Sequence, residues 1–230
     1  MNRAFEDVFG VAGAFEAVAM AGRTDKGILD EGALRSGVEV DDANLRRFRD
    51  VYVARLSEAL PALAPHGSAA PDPQSNPETR QGILPGVQSI LEAIALRADL
   101  FPALLTGNCE LGARIKLQHF GLWSFFRCGA YGDEIADRRD LFDVAIARAV
   151  ACGAPPVRPA DVVVVGDTVM DIACAKAAGA RSVAVATGPS DVATLRDAGA
   201  DVVVADLSDT AAIMRLFQAA QTGAGSSVQI

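Results

Sequence analysis

Three short runs in the second half of the chain, DVVVV at 161–165, SVAVA at 182–186 and VVVA at 202–205, are apolar at consecutive positions and not at alternate ones. A strand of that kind buries both faces, and the intervening segments are long enough to form helices. Together they predict a Rossmann-like α/β fold, a parallel sheet with crossover helices on both sides. From residue 84 the expected order is helix 85–97, strand 101–106, helix 108–119, a minor strand 129–131, helix 137–153, strand 161–165, helix 170–178, strand 182–186, helix 191–198, strand 202–205 and a last helix. The tail GAGSSVQI is expected to fray.

Residues 1–64 have a different pattern. Phe5, Val8 and Phe9, then Phe15, Val18 and Ala19, recur at helical spacing, and residues 41–60 form an amphipathic helix opened by acidic residues. Nothing there alternates like a strand, so helix is expected throughout. Residues 65–80 concentrate Pro, Ser and polar residues and read as a linker. Two units follow: an all-helical one with its linker at 1–80, and the α/β unit at 81–230.

A net charge of −8 and a pI near 4.8 argue against nucleic acid, whose backbone is held by clustered cations. The densest basic run, Arg46, Arg47 and Arg49, is flanked by Asp41, Asp42 and Asp50 and reads as a solvated helix face. Cys109, Cys128, Cys152 and Cys174 match no paired metal or redox spacing and suggest reduced thiols in the cytoplasm. With only His66 and His119 present, a histidine-rich zinc site and a Ser-His-Asp triad are poorly supported. Glu6, Asp7 and Glu16 interrupt the early apolar residues, against a signal peptide, and no stretch has the length of a membrane span.

In an open α/β sheet, ligands bind beyond the carboxyl ends of the strands. Two ends stand out. In VVVVGDTVMD, Gly166 releases the chain and Asp167 and Asp171 follow four residues apart. Two carboxylates on one rim suit a hard cation such as Mg²⁺. The spacing equally describes Asp167 capping a helix and Asp171 complementing its dipole. In ALLTGN, Thr106 ends a strand and Asn108 opens a helix, which gives either a phosphate cradle or an ordinary cap.

The order LLTGN and then GDTVMDIACAKAAGA resembles the second and fourth motifs of the haloacid dehalogenase superfamily, particularly its phosphoglycolate-phosphatase-like branch. LPGVQSILEAI resembles the helix leading into the second motif. The likeness covers residues 82–205, and the helical residues 1–80 resemble the all-α cap of that branch. It implies a phosphatase in which Thr106 and the N–H groups of Gly107 and Asn108 bind the phosphoryl group. Asp167 would ligate Mg²⁺, with Asp171 as a further ligand or behind it. The phosphoryl group would pass to an aspartate, with a second aspartate two residues later as general acid/base. The ligand implied is a small phosphorylated metabolite, taken by a monomer or homodimer with no nucleic acid or membrane involved.

Where the family offers a lysine before the GDxxxD strand, this chain has AspArgArg, which makes Arg138 the positional candidate. Lys116 is the rival, set back by about 15 Å of helical rise from Thr106. In the helical part, GRTDKGILD resembles a segment that closes over the site, so Arg23, Thr24 and Asp25 are candidates to touch the leaving group; a polar turn between helices explains it equally.

The family's first motif, an apolar strand ending in DxDGT, should precede the cap, and no segment of residues 1–230 supplies it. The sheet is therefore expected to lack its first strand, leaving neighbouring strands with unpaired groups. Either the natural chain is longer and a phosphatase, or this chain is a non-catalytic phosphate-binding relative. A sugar-phosphate mutase or dehalogenase on the same scaffold is a further alternative.

Overall fold

A computed structural model describes residues 1–60, 82–133, 135–219 and, as backbone, 227–229. The expected linker at 65–80 lies outside the described residues. The helical part comprises α1 (Asn2–Phe9), α2 (Asp25–Ser36) and α3 (Asp42–Ala59). Phe5, Phe15 and Phe48 make its core, the Phe5 ring lying 5.2 Å from Phe15 and 6.2 Å from Phe48, edge to face.

Residues 11–24 are turns, where helix was expected. Gly10 and Gly13 take left-handed backbone (φ 71° and 68°), which ends α1 and starts a chain of tight turns. Glu16 N–H donates to Gly13 O, and Val18 N–H to Phe15 O. Such i to i+3 closures bring Phe15 and Val18 to one side, so the apolar spacing imitates a helix.

The α/β part runs α4 (Val87–Ala95), β1 (Leu100–Pro102), β2 (Leu104–Thr106), α5 (Glu110–His119), β3 (Gly129–Tyr131), α6 (Leu141–Ala151), β4 (Val162–Gly166), α7 (Val169–Ala178), β5 (Arg181–Val185), α8 (Val192–Asp197), β6 (Val202–Val204), α9 (Thr210–Ala219) and β7 (Ser227–Gln229). The main sheet is parallel in the order β1-β7-β4-β5-β6, and β2 pairs with β3 in a second parallel ladder. The expected single strand at 101–106 is split because Pro102 has no N–H to give to a ladder; β1 pairs with β7 and β2 with β3.

Alternate residues of β4 serve opposite cores. Val162 and Val164 pack with Phe142, Ala145, Cys174 and Ala175 of α6 and α7. Val163 faces the other core, with Ile90 and Ile94 of α4 and Ile213 and Phe217 of α9. Burial on both faces is what the consecutive valines require.

Two expectations at the chain's far end are corrected. Residues 227–229 do not fray: β7 pairs on both edges, Val228 opposite Phe101 and Val162. It thereby fills the mid-sheet place where a strand was expected to be missing, and satisfies backbone groups that burial would otherwise leave unpaired. Its last residue, Gln229, lies opposite Pro102 and Val163, so the rim formed by Thr106 and Gly166 extends past it.

Candidate functional site

Both unusual strand ends open on one cavity of about 1010 Å³, lined by Thr106, Gly107, Asn108, Lys116, Arg138, Asp167 and Asp171, with Asp25 and Tyr52 from the helical part. The juxtaposition follows from topology, since β2 and β4 run parallel in neighbouring ladders and release their chains at the same edge.

At the end of β4, Thr168 and not Asp167 caps α7. Thr168 N–H and Oγ1–H donate to Asp171 Oδ2 at 3.0 and 2.7 Å, and Asp171 N–H donates back to Thr168 Oγ1 at 3.4 Å. This reciprocal pairing is a capping box with aspartate at its third position. Asp171 Oδ1 takes the Nη2–H of Arg138 at 2.6 Å. Both oxygens of Asp171 thus accept hydrogen bonds within the protein, Oδ1 from Arg138 and Oδ2 from Thr168.

Asp167 lines the same cavity and caps no helix. Burial, and then the neighbouring charge of Asp171, push it above the ordinary carboxylate value, so it is poised to gain from a cation. Gly188 permits this placement: a Cβ there would meet Asp167 Oδ2 at 2.3 Å. Among the described residues no group of three or more His, Cys, Asp or Glu side chains converges as a metal cage. One free carboxylate beside open space fits Mg²⁺, which keeps most of its ligands as water or substrate oxygen.

Arg138 opens a short 3₁₀ turn (Arg138–Asp140) capped by Asp137, and its side chain is only 12% exposed. Besides Asp171 it reaches Leu105 O and Gly22 O, each at 3.4 Å, while its Nε is buried without a partner among the described residues. It thus ties β2, α7 and the helical part at one point.

Lys116 also reaches the cavity, contrary to the distance expected from helical rise. Side chains on a helix lean toward its N-terminus, and Lys116 Nζ meets Asn108 Oδ1 at 2.5 Å. The helix itself starts later than expected. Cys109 caps α5, its Sγ accepting from Gly112 N–H, and Asn108 lies outside it. Nor are all the cradle's N–H groups free: Asn108 N–H donates to Thr106 Oγ1 at 3.2 Å, and Cys109 N–H to Asp25 Oδ2 at 2.8 Å.

The three residues of the GRTDK segment separate. Arg23 is held within the helical part by Glu31 at 2.5 Å, Gly27 O and Ala19 O, with its edge on the cavity. Thr24 is 0% exposed and does not line the cavity. It caps α2 and donates to Ala136 O at 2.7 Å, so its expected contact with a leaving group is replaced by a latch between the two parts. Asp25 does line the cavity. Its N–H donates to Gly107 O at 2.6 Å, Lys26 N–H donates to Gly132 O, and Arg49 of α3 bonds Asp133 O. The helical part is docked directly on the loops of the rim.

Sequence reasoning overlooked Thr168, Gly188, Cys109 and Tyr52. The Thr-x-x-Asp spacing of Thr168 and Asp171 was a visible signal for the cap. Gly188, Cys109 and Tyr52 carried none, because their places follow from folding alone.

Comparison with known proteins agrees with this arrangement. A family model of HAD-hydrolase-like proteins matches residues 138–210. Phosphoglycolate phosphatase of Chromobacterium violaceum is 29% identical over 134 residues, which is 58% of this chain and 57% of that protein. The chain thus spans little more than half the length of this relative. A hydrolase from Pseudomonas syringae superposes with a TM-score of 0.60 at 19% identity, covering 93% of this chain and 92% of that one. A predicted phosphoglycolate phosphatase from Haemophilus somnus gives 0.60 at 18% identity, covering 93% and 88%. At such identities these structures establish the fold, a parallel α/β sheet beside a helical cap. With the matched segment, the fold and the paired strand-end turns in agreement, residues 138–210 resemble the haloacid dehalogenase-like hydrolases and the chain shares the fold of the two structures above.

Proposed function

We propose that the protein is a Mg²⁺-dependent phosphatase acting on a small phosphate monoester, phosphoglycolate-like in size and charge. The observation that supports this most is the convergence of Thr106, Arg138 and Asp167 on one cavity at the sheet rim. In this reading Thr106 Oγ1 and the Gly107 N–H bind phosphoryl oxygens. Arg138, held in place by Asp171, contributes a fixed positive charge whose buried Nε has no partner among the described residues. Asp167 would hold Mg²⁺, which when bound offsets charge on the phosphoryl oxygens. The docked helical part limits water and encloses the non-reacting end of the ester, with Asp25 and Tyr52 as its wall.

The family resemblance calls for transfer to an aspartate in a DxDGT strand, and residues 1–230 carry no such segment. The strand in that mid-sheet place is β7, whose Ser227, Val228 and Gln229 include no carboxylate. This observation favours a second reading for these 230 residues, binding of phosphate without turnover. Assaying p-nitrophenyl phosphate and phosphoglycolate with Mg²⁺, alongside calorimetry with inorganic phosphate, separates the two. Turnover abolished by Asp167→Ala supports the phosphatase, and phosphate binding with no turnover supports the binding protein. A chain that neither binds nor hydrolyses would refute both.

A further inference from the structure

The side-chain amide of Asn108 has one end that accepts and one that donates, and its neighbours fix which is which. Lys116 Nζ lies 2.5 Å from one end, and an ammonium has protons to give but no lone pair to offer, so that end is Oδ1. Nδ2 then faces Thr106 and donates to Oγ1 at 3.0 Å, while the Asn108 N–H donates to the same oxygen at 3.2 Å. A hydroxyl has two lone pairs and one proton. With both lone pairs of Thr106 engaged, what remains for the cavity is its O–H, as a donor. That is the polarity required by a ligand whose oxygens only accept, such as a phosphate ester dianion.

We propose that Lys116 is a positioning residue which acts through Asn108 to hold Thr106 as a hydrogen-bond donor toward a tetrahedral oxyanion, without touching the anion itself. This deepens the phosphate-binding reading of the rim and rests on it. The guanidinium of Arg138 does not supply the same control, being bonded to Asp171, Leu105 O and Gly22 O. Without Lys116 the amide is free to turn and offer Oδ1 to Thr106. The hydroxyl proton is then drawn to Asn108 and away from the ligand.

The test uses the whole chain and inorganic phosphate, titrated by calorimetry into the wild type, Lys116→Met, Lys116→Arg, Thr106→Val and the Met/Val double variant. Loss of one hydrogen bond predicts about tenfold weaker binding in Lys116→Met and in Thr106→Val. Lys116→Arg, which keeps a donor, should recover most of it, and the double variant should bind no more weakly than Thr106→Val alone. Losses that multiply in the double variant would show that Lys116 contacts the anion by itself, and would overturn the proposal. A second readout needs no ligand. In the unliganded wild type the Asn108 Nδ2 protons, one of them bonded to Thr106 Oγ1, should exchange slowly with solvent in NMR, and Lys116→Met should accelerate that exchange. An unchanged Asn108 amide overturns the relay whatever the calorimetry gives. A wild-type chain that binds no phosphate overturns the rim as a phosphate site, and the NMR result still decides whether Lys116 orders Thr106 through Asn108.

Discussion

The two turns that make the site are held in opposite ways. The turn after β4 is closed by its own residues: Thr168 and Asp171 cap one another within a single turn of helix. The turn after β2 is closed from far away, by Asp25 on Cys109 N–H and Gly107 O, by Lys116 on Asn108, and by Gly132 N–H on Asn108 O. The first turn can form whenever α7 forms. The second is held in addition by the Asp25 contacts on Cys109 and Gly107, so the Thr106 half of the site should respond to the docking of the helical part. Arg138 joins the two, bonding Asp171 on one side and Leu105 O and Gly22 O on the other.

The comparison can be broken most sharply at Asp171. Asp171→Ala removes the capping partner and strands a buried guanidinium, and the loss should be about 3–5 kcal/mol in urea unfolding. Adding Arg138→Met should return most of that, because no unpaired charge remains; a double variant as unstable as the single one would show that the cap and not the ion pair carries the turn. Thr168→Ala, which leaves the ion pair, should cost about 1 kcal/mol. Cys109→Ala should cost less, since the sulfur cap of the β2 turn is a weak acceptor.

A pH series sharpens the contrast at Asp25. Burial is the chief cause of its raised pKa, outweighing the lowering by the Cys109 N–H and Lys116. Ionising it in the folded protein is therefore costly. Its contribution to stability is fullest below the unfolded value of 3.8 and declines as pH rises through the higher folded value, levelling beyond it. Asp25→Asn should flatten that decline in unfolding midpoints measured across the acid range, and an identical slope would show that Asp25 is not buried as described. The smallest effect is in thiol labelling. Cys152 is exposed and should react first, while Cys109 is buried with its thiol pushed up to about 11 and should react only when the β2 turn opens. Asp25→Ala should speed Cys109 selectively, and equal acceleration at Cys174 would mean global and not local opening.

The parts of this molecule that could be read from the residues are those whose partners are neighbours in the chain. The doubly buried valines of β4, the helices between strands and the shared rim of Thr106 and Asp167 all follow from local pattern plus the topology of parallel sheets. Residues 11–24 misled because i to i+3 turns and helices space apolar residues alike. Pro102 was a legible break in the strand at 101–106. The distance argument against Lys116 failed because it counted rise and neglected the lean of the side chain.

By itself the sequence determined that valine runs would bury both faces of a parallel sheet and that Thr168 and Asp171 would close a helix start, since each depends on groups only a few residues apart. Tertiary structure alone decided that β7 completes the sheet between β1 and β4, that Thr24 latches and does not touch the cavity, and that Asn108 is gripped by Lys116 while Asp25 holds Cys109. Those outcomes turn on which unpaired donors and acceptors meet once the chain has folded back on itself, and sequence spacing carries no record of them.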